Sequence, residues 1–129
     1  MVPDNDIPAH VLRFVAESID TVPQLETLLM MNDAPDRGWT IPEVASHNYI
    51  TEQRAEEILN ALRRRGLVAP EDSSPRFRFT PATNEVRHLV ADLARYYRAN
   101  LSRIATLIHS KPSASVTEFA RAFDLKKAR

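Results

Sequence analysis

The stretch from residue 40 to residue 80 constrains the fold of this 129-residue chain more than any other. Its residues 41–47 predict a short helix, and residues 48–50 are expected to form a turn. A second helix follows after Thr51, because a hydroxyl before the first helical turn can accept a free backbone N–H. The apolar residues of that helix recur at the i, i+3, i+4, i+7 spacing of an amphipathic helix: Ala55, Ile58, Leu59 and Leu62.

The end of this helix and the residues after it predict a small antiparallel sheet. Gly66 can adopt the left-handed backbone conformation that ends a helix. Two strand-like runs follow at residues 67–69 and 76–80, and the second alternates arginine with phenylalanine, so that one face is apolar and the other charged. Residues 70–75 form a polar turn between them. This order predicts a winged helix-turn-helix, and the alternative is a helical hairpin with a loose β-tail.

The remaining sequence predicts more helices around this unit. A first helix is expected from near Asp6, and a second covers residues 24–31. A loop at residues 32–38 and a short strand at Trp39 lead into the helix-turn-helix. We therefore predict a mainly α (α+β) fold with a two-stranded wing and a long C-terminal helix. The predicted domains are a winged helix-turn-helix over residues 6–80 and a C-terminal region for dimerisation or docking over residues 81–129.

The region after the wing predicts one long helix from about residue 84 to residue 109, about 40 Å in length. Its apolar residues follow heptad spacing, with Asn100 as the one polar member. A helix of this length predicts a homodimer through a coiled-coil-like seam of Val86, Leu89, Val90, Leu93, Tyr97, Ile104 and Ile108. The alternative is a helix that folds along its own domain, with a last short helix at residues 115–125 covering the rest.

The sequence has no motif of an enzyme, a metal site or a membrane protein. It contains no cysteine, four scattered histidines without metal-ligand spacing, and only two glycines, which form no phosphate-binding loop. We therefore expect no catalytic residue, no metal and no cofactor. No apolar run approaches the roughly 20 residues of a membrane helix, and the acidic N-terminus lacks a signal-peptide pattern. The expected location is cytoplasmic, without membrane contact.

The second helix of the motif predicts binding of double-stranded DNA. In winged helices that read DNA this helix enters the major groove, and the wing contacts backbone or minor groove. The face opposite the apolar residues presents Gln53, Glu57, Asn60 and Arg64, of which the amides and the guanidinium can pair with base edges. Arginines beside that face and on the wing can contact phosphates. The predicted DNA-binding residues are Thr51, Gln53, Arg54, Asn60, Arg63, Arg64, Arg76 and Arg78.

The charge distribution keeps a second function open. The chain has a formal net charge of zero, and residues 51–80 hold six arginines against five acids. Residues 86–129 instead hold nine lysines and arginines against three acids. Glu52 and Glu56 lie near the start of the second helix, where phosphate would be repelled. The alternative is a winged helix that binds a protein partner in a regulatory assembly, and its binding should depend less on salt than DNA binding does.

Residues 10–80 resemble the winged helix-turn-helix superfamily of bacterial regulators, above all its MarR-like branch. The resemblance is carried by the run Trp39-Thr40-Ile41-Pro42-Glu43-Val44-Ala45, by the helix at residues 51–62, and by Arg65-Gly66-Leu67-Val68. It implies a dimeric transcriptional regulator on a palindromic DNA site, with residues 51–65 as recognition helix and residues 71–78 as wing. The chain carries less dimer-forming sequence than is usual in that branch. Its C-terminal segment, residues 108–123, looks like that of small bacterial winged-helix proteins with the same layout.

Overall fold

The computed structural model describes residues 7–110, and the predicted helix at residues 115–125 lies outside them. The elements of this part of the chain are, in order, α1 (Ala9–Ser18), α2 (Val22–Asp33), β1 (Trp39–Thr40), α3 (Ile41–Asn48), α4 (Glu52–Arg64), β2 (Val68–Pro70), β3 (Arg76–Phe79), α5 (Asn84–Ala99) and α6 (Leu101–His109). Among these helices none is long and apolar enough to cross a membrane.

Threonine side chains fix where four of the helices begin. Each accepts a backbone N–H from the third residue after it, at the starts of α2, α3, α4 and α5: Thr21, Thr40, Thr51 and Thr83. At α3 the Glu43 carboxylate also accepts the Thr40 backbone N–H at 2.9 Å, which completes a capping box. α2 begins at Val22 rather than at the predicted residue 24, because Pro23 is tolerated in a first helical turn.

The three strands form one antiparallel sheet in the order β1-β3-β2, with β3 in the centre. Trp39 of β1 pairs with Phe77, and Val68 of β2 pairs with Phe79. Phe79 lies in the core, as the alternation of β3 predicts. Gly66 has a φ of 73°, the left-handed conformation expected between α4 and the wing. The predicted winged helix-turn-helix, with a short strand at Trp39 pairing with the wing, is confirmed.

One apolar core joins the winged unit to the helices before and after it. α4 turns its four predicted apolar residues inward. α1 contributes Val11, Phe14 and Val15, and α2 contributes Leu25 and Leu28. The core includes residues on both sides of residue 80, and the division of the chain into domains at that point stays a prediction.

The predicted single long helix is wrong, because the chain breaks between α5 and α6. Asn100 has φ −137° and ψ 41°, which lie outside the helical region. Its side-chain Nδ2 donates to the Tyr96 carbonyl oxygen at 3.0 Å. Its backbone N–H donates to the Tyr97 carbonyl oxygen at 3.1 Å, one residue later than in a continuous α-helix. The amide side chain thus takes the acceptor that a continuous helix would use for the Asn100 backbone.

The break gives most of the predicted dimerisation residues a different place. Five of them are buried in the core of the chain itself: Val90, Leu93, Tyr97, Ile104 and Ile108. Val86 and Leu89 are partly buried against the same core. α5 and α6 each contact α1 and α2, so they fold along their own domain rather than projecting from it. This corrects the expectation of a continuous exposed seam, and a dimer through other surfaces stays a prediction.

Candidate nucleic-acid interface

α4 lies at the surface with its polar face turned outward. Gln53, Arg63 and Arg64 are exposed, and Asn60 is half-buried. The turn before α4 holds it against α3, because the Ile50 backbone N–H donates to the Ala45 carbonyl oxygen at 3.0 Å. The helix therefore presents the polar ridge that its sequence periodicity predicts.

Thr51 serves α4 as its cap. Its Oγ1 accepts the Arg54 backbone N–H at 3.0 Å. A hydroxyl that accepts one hydrogen bond still has its O–H to donate. Thr51 is also exposed, so this donor is accessible from solvent at the start of α4. The residue can therefore stabilise the helix and contact an external acceptor at once.

The arginines of α4 differ in their partners. Arg54 Nη1 lies 3.9 Å from Glu57 Oε1, and both side chains are about half exposed, so this pair contributes little stability. Within residues 7–110, Arg63 and Arg64 form no ion pair. The guanidinium groups of Arg54, Arg63 and Arg64 can therefore bind a polyanion without breaking a strong ion pair.

Arg65, one residue past the end of α4, instead anchors the helix. Its Nη1 donates to the Glu17 carbonyl oxygen at 2.7 Å, and its Nη2 to Asp20 Oδ2 at 3.2 Å. Glu17 lies in the last turn of α1, and Asp20 lies two residues after its end. The contact fixes the C-terminal end of α4 on the first helix. Arg65 is therefore engaged within the protein, unlike Arg63 and Arg64.

Asn48 anchors the first helix of the motif in a similar way. Its Nδ2 donates to Thr27 Oγ1 and to the Val44 carbonyl oxygen, each at 3.2 Å. Thr27 is buried, and its own hydroxyl donates to the Pro23 carbonyl oxygen at 2.8 Å. α3 is thereby held on α2 by a polar contact within the core.

Tyr49, in the turn between α3 and α4, is a surface feature that the sequence did not single out as a site. It is 94% exposed and has φ 57° and ψ 44°. A left-handed conformation costs a residue with a side chain about 1–2 kcal/mol, and glycine is usual at this position after a helix. An aromatic residue at a helix end where glycine is expected is the signal that could have found it.

The two wing arginines that the sequence assigns to DNA are both paired with acids. Arg76 Nη1 donates to the Gly38 carbonyl oxygen and to Glu43 Oε1, each at 3.3 Å. Arg78 donates through Nε and Nη2 to Glu71 Oε2, at 2.8 and 2.6 Å. The wing therefore brings its cations onto neighbouring carboxylates rather than leaving them open, and their predicted contact with DNA stays a prediction.

Glu43 joins the capping box to this charge network. The Thr40 backbone N–H lowers the pKa of the Glu43 carboxyl most, burial opposes this shift, and nearby Arg76 and Arg37 lower it further. Arg37 Nη2 lies 3.8 Å from Glu43 Oε2. The carboxylate is thus held ionised, in contact with the start of α3 and with β3.

An open cavity of about 650 Å³ lies beside the helix-turn-helix, bounded by α2, the end of α3, β1 and α5. Its walls include the aromatic side chains of Trp39, His47, Tyr49 and Tyr97. Trp39 is 4% exposed, and its Nε1 has no hydrogen-bond partner within the described residues. Burial, and after it the Glu26 carboxylate, raises the pKa of the Tyr97 hydroxyl. A molecule in this cavity would contact both α5 and the turn before α4.

No protein-family model and no curated protein sequence matches the chain. Solved structures of similar architecture do. RV1404 from Mycobacterium tuberculosis is 20% identical, with a TM-score of 0.50 over 94% of this chain and 82% of that one. A MarR family protein from Bacillus stearothermophilus is 16% identical, with a TM-score of 0.50 over 92% and 81%.

A third similar structure is the heme sensor protein PefR from Streptococcus agalactiae, solved in complex with heme. It is 12% identical, with a TM-score of 0.50 over 92% of this chain and 82% of that one. Likeness at these identities concerns the fold. The resemblance to MarR-like winged helices that residues 10–80 predict is confirmed at that level.

Proposed function

We propose that this protein is a transcriptional regulator that binds double-stranded DNA through α4. The observation that carries the proposal is the exposed polar face of α4, where Arg63 and Arg64 lack ion-pair partners within residues 7–110. The proposal is also supported by the winged-helix fold that this chain shares with the solved structure of a MarR family protein. The proposal includes no enzymatic activity and no cofactor.

Each side chain of this face has a role that follows from its chemistry. Gln53 and Asn60 carry amides that can pair with adenine edges, and the Arg64 guanidinium can pair with guanine. Thr51, Arg54 and Arg63 would contact phosphates and set the position of α4 in the groove. Arg76 and Arg78 would add phosphate contacts only if they left Glu43 and Glu71.

We further propose that the protein acts as a homodimer in the bacterial cytoplasm. Two copies of α4 would enter successive major grooves about 34–36 Å apart, one turn of the duplex. Leu101, at the start of α6, is 52% exposed and gives the C-terminal region an apolar residue that a second copy could cover. Val86 and Leu89, partly buried on α5, are the predicted dimerisation residues that keep some exposure.

The test is fluorescence anisotropy of a random-sequence duplex at several salt concentrations. We expect wild-type binding in the micromolar range or weaker, falling steeply as salt rises. The variant R63A/R64A should bind at least about tenfold more weakly at low salt, with a log–log salt slope smaller by about 1 from the lost phosphate contact of Arg63. The control R13A/R95A also removes two arginines from exposed positions, on α1 and α5, of which Arg95 is paired with Asp92 at 2.9 Å, and it should keep most of the affinity and the slope.

The second candidate function is binding of a protein partner. It is favoured by the acids at the start of α4, Glu52 and Glu56, and by the pairing of both wing arginines. Folded wild-type protein that binds no duplex even at low salt would support this alternative and contradict the DNA proposal. Equal losses in R63A/R64A and R13A/R95A would show that α4 is not the surface concerned.

A further inference from the structure

We infer that Glu71 limits the DNA-binding surface of this protein by holding Arg78 away from phosphate. The inference rests on the proposed DNA binding through α4 and deepens it. Glu71 would be a positioning residue, because it would act on DNA only through the arginine it holds. The wing would then contribute shape to the interface but no free cation.

The contact between the two side chains is a strong one. Arg78 donates two hydrogen bonds to the same Glu71 oxygen, at 2.8 and 2.6 Å. The Glu71 side chain is 22% exposed and the Arg78 side chain 43%, so water and salt screen the pair in part, from the Arg78 side. Charge-assisted hydrogen bonds of this kind are about twice as strong as neutral ones. With Glu71 in place, a phosphate could reach only the Arg78 N–H groups that Glu71 does not accept, and the adjacent carboxylate would repel it.

The wing hairpin itself sets this pairing. The Glu71 backbone N–H donates to the Arg76 carbonyl oxygen at 2.8 Å, and Ala69 pairs with Arg78 across the two strands. Glu71 follows the last residue of β2 directly, so its distance from Arg78 on β3 is fixed by the register of the two strands. The contact belongs to the folded wing and not to a chance position of two long side chains.

Gly38, just before β1, leaves the space that the Glu71 side chain occupies. A Cβ at this position would overlap the Glu71 carboxylate and would lie 2.9 Å from its Cδ. The Gly38 carbonyl oxygen accepts from Arg76. Gly38 thus leaves room for the Glu71 carboxylate to reach Arg78. Its own carbonyl oxygen binds Arg76.

The helix α4 and the wing would therefore contribute differently to phosphate binding. Glu71 and Asp72 near the wing tip balance Arg76 and Arg78 in formal charge, whereas Arg63 and Arg64 remain unbalanced by contact within residues 7–110. Phosphate contacts would then come from α4, and removal of the Glu71 charge should add one more from Arg78.

The test compares three variants in the duplex-binding assay. E71Q keeps the size of the side chain but weakens its hold on Arg78, so we expect binding about threefold to tenfold tighter than wild type at low salt, with a log–log salt slope steeper by about 0.9. The control D72N removes the same charge from the adjacent exposed residue, which forms no ion pair within the described residues, and should change affinity less than about twofold. E71Q/R78Q should return to the wild-type slope.

E71D, with a shorter acidic side chain, is a second variant that tests the same contact if E71Q does not fold. E71D keeps the charge and withdraws the carboxylate from Arg78, and it should also steepen the slope if E71Q proves unstable in a thermal melt. The inference is overturned if neither E71Q nor E71D exceeds D72N, or if the gain persists in E71Q/R78Q. Wild type that binds while these variants show no gain overturns only this inference, whereas no binding by any variant overturns the proposed function as well.

Discussion

Tyr49 is the larger of two non-glycine residues within residues 7–110 that have a positive φ, the other being Ser73. Its left-handed conformation should cost about 1–2 kcal/mol, more than the roughly 0.4–1 kcal/mol of chain entropy that a glycine adds to the unfolded state. Y49G should therefore raise the free energy of unfolding by up to about 1 kcal/mol. Urea denaturation followed by the fluorescence of Trp39, the single tryptophan, measures this change.

The matched control for this prediction is Y49A. It removes the same aromatic ring but keeps a Cβ in the left-handed conformation, so it should not stabilise the protein. Equal stabilisation by Y49A and Y49G would show that the ring, rather than the backbone, is unfavourable. If Y49G also weakens DNA binding, the strained tyrosine is kept for the interface and not for the fold.

Glu43 gives a prediction for pH. Because its folded-state pKa lies below the ordinary 4.5, the ionised carboxylate stabilises the fold above pH 4.5. That contribution is lost as pH falls from 4.5 through the lower folded-state value. Thermal melts should show E43Q below wild type near neutral pH, with the gap closing in acid.

The control for the acid series is E52Q, which changes an exposed glutamate at the start of α4 that forms no ion pair within the described residues. Its melting temperature should stay closer to that of wild type at every pH. A constant gap between E43Q and wild type down to strong acid would contradict the role given to the Glu43 charge.

Among the elements, the break between α5 and α6 depends on one side chain. N100A removes the donor to the Tyr96 carbonyl oxygen in a buried place, and should lower the free energy of unfolding by about 1–2 kcal/mol. The control S102A changes an exposed residue of α6 and should stay within about 0.5 kcal/mol of wild type. Stabilisation by N100A, with more helix by circular dichroism, would show that the side chain opposes the fold and does not support it.

The same elements show what sequence patterns could and could not predict. The spacing of Ala55, Ile58, Leu59 and Leu62 predicted the buried face of α4, and Gly66 predicted its end, because both signals are local. The heptad pattern tolerated Asn100, since it counts only which positions are apolar. A side chain that takes a backbone acceptor four residues earlier is invisible to that count.

For the candidate site, sequence patterns predicted which residues lie on the outer face of α4 but not which contacts the wing arginines make. Periodicity placed Gln53, Asn60 and Arg64 on the outer face of α4. The partners of the wing arginines were not predictable, because Glu43 lies 33 residues from Arg76 and meets it only through the pairing of β1 with β3. Strand register, and not composition, decides whether those cations face solvent.

In the whole molecule, four of the six arginines of residues 51–80 are in ion pairs, and Arg63 and Arg64 form none within residues 7–110. The C-terminal helices complete the core of one chain instead of forming a free seam. The proposed homodimer would therefore not form through the five buried residues of the predicted seam. We propose that α4 is the surface at which this protein binds DNA.

The most direct measurement of that claim is a map of backbone amide chemical shifts during titration of the labelled protein with a duplex. We expect the largest changes at residues 51–64, smaller ones at the turn of residues 48–50, and the smallest at the wing tip. Changes centred on α5 and α6, or no changes at low salt, would show that α4 is not the DNA-binding surface.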